Sequence, residues 1–199
     1  LAKELRAIAA YGLNFAGNEF DEERFQAVLS VSARLEALAR GDDAQELMEA
    51  FRVNGFALSA MPSVEAVVLK DDKILLVHRK DDDLWCLPGG ITDPGETLAE
   101  SVLRELQEET GIVGEVKQLL GIYDSRLWHS EKRIHFYHFL FLVEAEALTP
   151  RPSDEVYDAA YFAEDNLPPM SPGHHLRAPF VFKQLRGEEP LPFFDRPFL

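Results

Sequence analysis

Cysteine and long apolar runs are the features that this sequence has least of. Its 199 residues include one cysteine, Cys86, so no disulfide can form within the chain, and a lone cysteine fits a reducing compartment. No apolar run reaches membrane-spanning length, and the first residues lack the basic and then apolar order of a secretory signal. We therefore expect a soluble cytoplasmic protein without a membrane partner.

Positive charge is also scarce. The chain has 20 Lys and Arg against 35 Asp and Glu, a formal net charge of −15, and no long basic run. Such a surface repels a phosphate polymer, so nucleic acid is not an expected partner. A small nucleotide differs, because its phosphates can arrive as a magnesium complex. At 46% hydrophobic residues, the length suits one ordinary domain with a small appendage.

An acidic helix is predicted over Thr97–Thr110. Its apolar residues fall at helical intervals and form one buried stripe: Leu98, Val102, Leu103 and Leu106. Glu105, Glu108 and Glu109, at i, i+3 and i+4, share another face. Carboxylates this close raise one another's pKa and require a compensating cation. Because no His or Cys ligand lies in this segment, the oxygen ligands favour Mg²⁺, with Mn²⁺ as a substitute, over zinc. Arg104, beside this face, could hold a carboxylate in a fixed rotamer.

The segment that contains this helix resembles the Nudix box: Gly, five residues, Glu, seven residues, then Arg-Glu-aliphatic-x-Glu-Glu-x-Gly-aliphatic. Every constrained position matches: Gly90, Glu96, Arg104, Glu105, Leu106, Glu108, Glu109, Gly111 and Ile112. The resemblance implies a metal-dependent hydrolase that acts on a diphosphate linkage. It also implies that Glu96 supports the site and that the Gly90 carbonyl completes the metal shell held by Glu105, Glu108 and Glu109.

The first part of the chain is predicted to be helical. The helices are expected at Leu1–Tyr11, at Asp21–Arg40 with Asp21 as N-cap and Gly41 as the stop, and at Asp42–Phe51. We interpret residues 1–60 as a packing or dimerisation module ending in a linker, Arg52–Pro62, and residues 61–199 as the Nudix domain. Two segments resemble the N-terminal extension of a Nudix subgroup that acts on nucleoside diphosphate derivatives, including CDP-choline: Leu5-Arg-Ala-Ile-Ala-Ala-Tyr-Gly-Leu13 and Phe20-Asp-Glu-Glu-Arg-Phe25. A homodimer is expected.

The predicted fold class is α+β, a Nudix α/β/α sandwich with a mixed sheet preceded by a small all-α module. The sequence predicts strands at Ser63–Leu69, Lys73–Arg79, Glu115–Tyr123, Ile134–Ala145 and Val156–Phe162. Pro179 is expected to open a last helix that runs to Arg186. The tail, Pro190–Leu199, is expected to lie extended over an apolar surface.

Residues outside the box are candidates for the remaining roles. The base that deprotonates the attacking water is Glu109 or a loop acid, for which Glu155 is the candidate. Arg79 and Arg126 are candidates for phosphate contacts, and Trp128 for stacking on a base. Each is also compatible with an ordinary packed or solvated position. His174 and His175, adjacent in a loop, are expected at the surface.

The resulting hypothesis is a Mg²⁺-dependent pyrophosphohydrolase that cuts a nucleoside diphosphate derivative into a nucleoside monophosphate and a phosphorylated remainder. CDP-choline-like compounds lead, ADP-ribose is the alternative, and an oxidised nucleoside triphosphate comes third. A catalytically inactive nucleotide-sensing regulator is an alternative of another class. It is disfavoured, because the box carboxylates are complete and no basic DNA-binding domain is evident.

Overall fold

The structure is a computed structural model that describes residues 1–53, 60–93, 95–129, 135–151 and 153–196. The chain divides into two compact units, Leu1–Ser59 and Ala60–Leu199. Most of the predicted linker, residues 54–59, lies outside the described residues. None of the helices in the described ranges combines the length and the apolar composition needed to cross a membrane.

The first unit consists, in its described residues, of three helices: α1 (Ala2–Phe15), α2 (Glu19–Arg40) and α3 (Ala44–Val53). The predicted N-cap of α2 is wrong by one turn. The cap is Asn18, whose side-chain oxygen accepts the Asp21 N–H at 2.9 Å, so Asp21 already belongs to the first turn. The helix ends as predicted at Gly41, which adopts the left-handed conformation that glycine favours. The buried residues of its hydrophobic core are Ala9, Leu29, Ala33, Ala37, Leu47 and Phe51.

The second unit is built on a mixed sheet that has eight strands in the described residues. The strands are β1 (Met61–Lys70), β2 (Lys73–Arg79), β3 (Trp85–Cys86), β4 (Gly89–Ile91), β5 (Glu115–Asp124), β6 (Phe136–Glu144), β7 (Val156–Phe162) and β8 (Phe193–Phe194). Their order is β3-β2-β1-β6-β5-β8, with β4 paired to β1 and β7 paired to β2. The β1–β6 and β5–β8 pairs are parallel and the others antiparallel.

The strand β1 changes partner along its length. Ser63–Glu65 pair with β4, whereas Leu69 and Lys70 pair with β2. The sheet therefore forks beside the middle of β1. The fork positions the acidic helix, because the segment that leads into this helix starts at β4.

The helices α4 (Leu98–Thr110) and α5 (His174–Leu185) cover opposite faces of the sheet. Val64, Ala66 and Val68 belong to the same buried cluster as Val102 and Leu106 of α4. Val67 belongs to the cluster that contains Ala178, Val181 and Phe182 of α5. Since alternate strand residues face opposite sides of a sheet, these clusters define two apolar layers. The predicted α/β/α sandwich with an N-terminal helical segment is confirmed.

The last helix starts earlier than predicted. It begins at His174, after Gly173, and Pro179 lies inside it rather than opening it. Proline lacks the N–H that would bond the carbonyl four residues earlier, but here that carbonyl belongs to His175 in the first turn. The early start places residues 174–178 on a helix that faces the sheet.

The tail, predicted to be extended, is so only in part: Leu191 and Pro192 form a bend, and Phe193–Phe194 form β8. Phe193 pairs with Gly121 of β5 and packs within the apolar cluster on the α5 side of the sheet. Residues 197–199 lie outside the described residues.

The N-terminus of α4 is fixed by a capping box that a substitution can test. Thr97 Oγ1 accepts the Glu100 N–H at 3.2 Å, and Glu100 Oε2 accepts the Thr97 N–H at 2.8 Å. Thr97→Ala removes the first bond and should lower the free energy of unfolding by about 1 kcal/mol in urea denaturation. Thr149→Ala, at an exposed position outside helices and strands, is the control and should change it little. Equal effects of the two variants would contradict a stabilising cap.

Candidate active site

The C-terminal half of α4 faces a cavity of about 740 Å³ in the second unit. Glu105 and Glu109, one helical turn apart, line it together with Gly90 of β4 and Glu155 before β7. Gly90, Glu105 and Glu109 belong to one stretch of the sequence, whereas Glu155 comes from a later segment. The pairing of β4 with β1 and of β7 with β2 brings both segments to the same cavity.

Glu109 is the most buried of these acids, with 8% of its surface exposed. Its Oε2 accepts the Gly89 N–H at 2.8 Å. Burial raises the pKa of Glu109 to about 8; the charges of Glu105 and Glu155 act in the same direction, whereas the Gly89 N–H and Arg79 oppose them. Burial also raises the pKa of Glu105, although Arg104 opposes the shift. The cavity wall therefore has too little positive charge to compensate the ionised carboxylates of Glu105 and Glu109.

Arg104 holds the neighbouring carboxylates. Its Nε donates to Glu96 Oε1 at 2.7 Å and its Nη2 to Glu96 Oε2 at 3.1 Å. Its Nη1 donates to Glu105 Oε1 and to Glu108 Oε2, each at 2.9 Å. One planar guanidinium therefore fixes three carboxylates. Neither Glu96 nor Glu108 is among the residues that line the cavity.

The Glu105 carboxylate lies close to the backbone of Gly90. A Cβ atom at position 90 would lie 2.5 Å from Glu105 Oε1, so a side chain there would displace this carboxylate. The absence of a side chain therefore lets the carboxylate lie directly against β4.

The donor set is that of a hard cation, although its side chains are not gathered around one point. Among the described residues, no three His, Cys, Asp or Glu side chains already form a group that could hold a metal ion. Arg104 is hydrogen-bonded to Glu105 and Glu108, and the Gly89 N–H is hydrogen-bonded to Glu109. The oxygens of Glu105, Glu109 and Glu155 around one cavity nevertheless have the chemistry that Mg²⁺ prefers.

The three substrate-contact candidates lie in different places. Arg79 lines the cavity, with its guanidinium paired to Asp81. Arg126 is paired instead with Asp124. The Trp128 indole N–H donates to Asp195 at 3.0 Å. The Trp128 ring packs against Tyr123, Phe180 and Phe193.

Neither Arg126 nor Trp128 is among the residues that line the cavity. In this arrangement neither side chain is positioned to contact a substrate in the cavity. Both already have partners within the protein: Arg126 pairs with Asp124, and Trp128 contacts residues from the end of the chain.

The sequence interpretation gave no site role to Glu65 on β1 or to His174 and Arg177 on α5, which line the cavity. The strand spacing predicts that one of His135 and His138 lies in the core or a pocket, and His138 on β6 lines the cavity. The expected surface position of His174 is wrong, because the early start of α5 turns it inward and leaves 8% of it exposed. His175, by contrast, is exposed as expected. Glu65 carried a usable signal, since it is a lone charge in the apolar run Val64–Leu69.

Comparison with known proteins agrees with this architecture. The NUDIX domain family matches residues 60–184, and the family described as "UDP-X-like, N-terminal oligomerisation domain" matches residues 1–51. The Bacillus subtilis protein named "Putative ADP-ribose pyrophosphatase YjhB" is 31% identical over 197 residues, 98% of this chain and 95% of that protein. An ADP-ribose pyrophosphatase of Methanocaldococcus jannaschii is 36% identical over 56% of this chain and 67% of its own length.

Among solved structures, that of a UDP-X diphosphatase superposes with a TM-score of 0.63 at 26% identity. It covers 98% of this chain and 96% of the other. Both units are therefore found together in a protein of known structure. With the complete box on α4 and family matches over both units, the chain belongs to the Nudix hydrolase family.

Proposed function

We propose that this protein is a Mg²⁺-dependent pyrophosphohydrolase that cleaves the diphosphate of a nucleoside diphosphate joined to another group. Its products are a nucleoside monophosphate and the phosphorylated remainder. The observation that carries the proposal is the set of acids Glu105, Glu109 and Glu155 around one cavity. The cavity, at about 740 Å³, is within the range of small-molecule sites.

Two substrate classes are supported by different observations. CDP-choline-like compounds lead, because the first unit resembles the extension of the subgroup that acts on such derivatives. ADP-ribose is the alternative, supported by two relatives that carry the name ADP-ribose pyrophosphatase. The relative of known structure is named a UDP-X diphosphatase, and a UDP derivative belongs to the same chemical class.

Glu105, Glu108 and Glu109, with the Gly90 carbonyl, are the groups that would hold the cation. When bound, Mg²⁺ supplies charge neutralisation for the diphosphate, polarises the attacked phosphorus and lowers the pKa of an attacking water. Arg104 holds Glu105 and Glu108 in place through its Nη1. Arg104 is thus proposed as the residue that orients the acidic face.

The proton of the attacking water needs a carboxylate acceptor in the same cavity. Glu109 and Glu155 both lie there, and the charge of Glu155 contributes to the raised pKa of Glu109. Because the pKa of Glu109 is raised to about 8, this acid holds its proton at neutral pH in the metal-free protein, which leaves the exposed Glu155 as the proposed acceptor. Arg79, at the same cavity, supplies a cation for a phosphate oxygen.

We propose further that the protein is a homodimer held through its N-terminal helices. Phe20, Val31 and Leu38 lie along one side of α2, since separations of 11 and 7 residues bring side chains back to the same helix face. They are 73%, 45% and 83% exposed, which is a large apolar surface for a helix of this length. The family description of this segment as an oligomerisation domain supports the same role.

The hydrolysis is tested with Mg²⁺ and a panel of CDP-choline, ADP-ribose, other nucleoside diphosphate conjugates and nucleoside triphosphates, with products identified by mass. CDP-choline should yield CMP and phosphocholine. Glu109→Gln removes a proposed metal-binding charge with little change of shape and should lower kcat at least about 100-fold. Glu146→Gln, an exposed acid not among the cavity residues, is the matched control and should leave kcat unchanged. Normal turnover by the Glu109 variant would contradict the assignment of Glu109 as a metal-binding residue.

The raised pKa of Glu109 predicts a pH dependence of stability in metal-free protein. Between about pH 5 and pH 8 the folded protein keeps a proton that the unfolded chain has released, so the free energy of unfolding falls as pH rises, by up to about 4 kcal/mol. In Glu109→Gln this component should be missing from urea denaturation series at pH 5, 6.5 and 8. Addition of Mg²⁺ at pH 8 should restore stability in the native sequence and less so in the variant. Parallel pH profiles of the two proteins would contradict a buried, protonated Glu109.

The dimer is tested by introducing charge into the exposed stripe of α2. Val31→Glu combined with Leu38→Glu should convert a dimer into a monomer, because two carboxylates would be buried at the interface. Size-exclusion chromatography with light scattering gives the mass directly. Glu22→Gln on the same helix is the control. A variant that keeps the dimer mass would place the interface elsewhere.

A further inference from the structure

The cavity contains a second group of polar side chains besides the acids of α4. It consists of Glu65 from β1, His138 from β6, and His174 and Arg177 from α5. All four are buried, and Arg177 has no exposed surface. We refer to these four residues as the inner polar cluster.

The hydrogen bonds of the inner polar cluster converge on Glu65. Arg177 donates through Nε to Glu65 Oε2 at 3.1 Å and through Nη2 to Glu65 Oε1. His138 Nδ1 lies 3.2 Å from Glu65 Oε1. His174 Nδ1 accepts the Leu87 N–H at 3.3 Å, so the ring proton of neutral His174 lies on Nε2. His174 Nε2 lies 3.4 Å from Arg177 Nη2. Each acceptor atom named here already has a donor, so the hydrogen-bonding capacity that the cluster offers to a ligand lies mainly in its donors.

One donor group is without a partner. Arg177 Nη1 is buried and makes no hydrogen bond within the described residues. A buried N–H group of a charged side chain is costly to leave unpaired, and such groups in native proteins are satisfied by protein, water or ligand. Because Arg177 lines the cavity, an acceptor on a bound ligand is the natural partner.

The electrostatics of the cluster limit what that acceptor can be. Glu65 neutralises the charge of Arg177, and the guanidinium keeps the pKa of this carboxyl well below its usual value against the opposing effect of burial. Burial lowers the pKa of His174 to about 3, so its ring is uncharged at neutral pH. No excess positive charge is left for a phosphate, and the Glu65 carboxylate would repel one. The ligand atom is therefore a neutral acceptor.

Among the parts of a nucleoside diphosphate derivative, a carbonyl oxygen of the base fits these conditions. A ring nitrogen of adenine is a neutral acceptor too, but it has one lone pair at the edge of the ring, whereas a carbonyl oxygen projects beyond the ring and has two. A ribose hydroxyl also accepts, but it adds a donor to a cluster whose acceptors are already engaged. We propose that Arg177, held by Glu65, recognises a carbonyl oxygen of the nucleobase, so that bases with a ring carbonyl bind in preference to adenine. This inference rests on the proposed function, because it assigns one end of the substrate proposed above.

The test compares two ligands that differ at the relevant atom. Inosine and adenosine 5′-monophosphate share ribose, phosphate and purine skeleton. They differ at position 6, where inosine has a carbonyl and adenosine an amino group, and at the adjacent N1, which carries a proton only in inosine. Isothermal titration with Mg²⁺ should give a Kd at least about tenfold lower for the inosine nucleotide. Equal affinities, preference for the adenosine nucleotide, or binding of neither would overturn the proposal.

A double substitution tests the residues. Glu65→Leu with Arg177→Met replaces both partners of the buried pair by apolar side chains, which avoids leaving one buried charge uncompensated. The preference for the inosine nucleotide should disappear, whereas Lys183→Ala, at an exposed position of α5, should keep it. A preference that survives in a folded double variant would overturn the assignment to Arg177. If circular dichroism shows that the double variant does not fold, a crystal structure of the native chain with the inosine nucleotide decides. The carbonyl oxygen should lie within about 3.2 Å of Arg177 Nη1, and a longer separation overturns the proposal.

The outcomes separate this inference from the proposed function. Hydrolysis of CDP-choline with equal affinities for the two nucleotides would leave the proposed function standing and remove the role of Arg177. Preference for the inosine nucleotide without hydrolysis of any compound in the panel would do the reverse.

Discussion

The mutual repulsion of carboxylates on α4 is the constraint that organises the second unit. Three acids spaced at i, i+3 and i+4 destabilise an isolated helix, and burial of one of them increases the cost. The fold offsets this locally, through the Arg104 guanidinium on three carboxylates and the Gly89 N–H on Glu109. The compensation is incomplete on the cavity side, where burial raises the pKa of both Glu105 and Glu109. The same deficit that destabilises the metal-free protein would favour the binding of the proposed cation.

The fork in the sheet forms the cavity that this acidic helix faces. Because β1 leaves β4 and continues with β2, the sheet opens beside Gly89 and Gly90, and groups from both of its faces border one cavity. The acids come from the α4 side, and the inner polar cluster comes from residues of β1, β6 and α5. The acids proposed to hold the cation and the donors proposed for the base thus come from different layers of the sandwich.

The parts of the site that are encoded locally could be predicted from the sequence. The box spacing placed Glu105 and Glu109 on one helix face, since this feature depends only on residues within one helical turn. The surroundings of Trp128 could not be predicted in this way. Its partners Phe193 and Asp195 come from the end of the chain.

The inner polar cluster shows the same limit more clearly. Glu65 and Arg177 are 112 positions apart, and only the packing of α5 on β1 brings them within hydrogen-bonding distance. A charge inside an apolar strand signals that a buried partner is needed, but it does not say which of the chain's arginines supplies it. The start of α5 was equally out of reach, because Pro179 is a better helix opener by local preference than the glycine turn that the fold uses.

The short strand β8 has a consequence for how the protein behaves at high concentration. An outer strand with free N–H and C=O groups is a template for pairing with another molecule, and β5 would be such a strand at this end of the sheet. Phe193 and Phe194 occupy part of that edge at Gly121 and Ile122, and Asp195 accepts the Asp124 N–H at 2.7 Å. The tail therefore covers this edge of the sheet. A protease that removed it would leave an edge able to pair with another molecule, although no residue of the cavity would be lost.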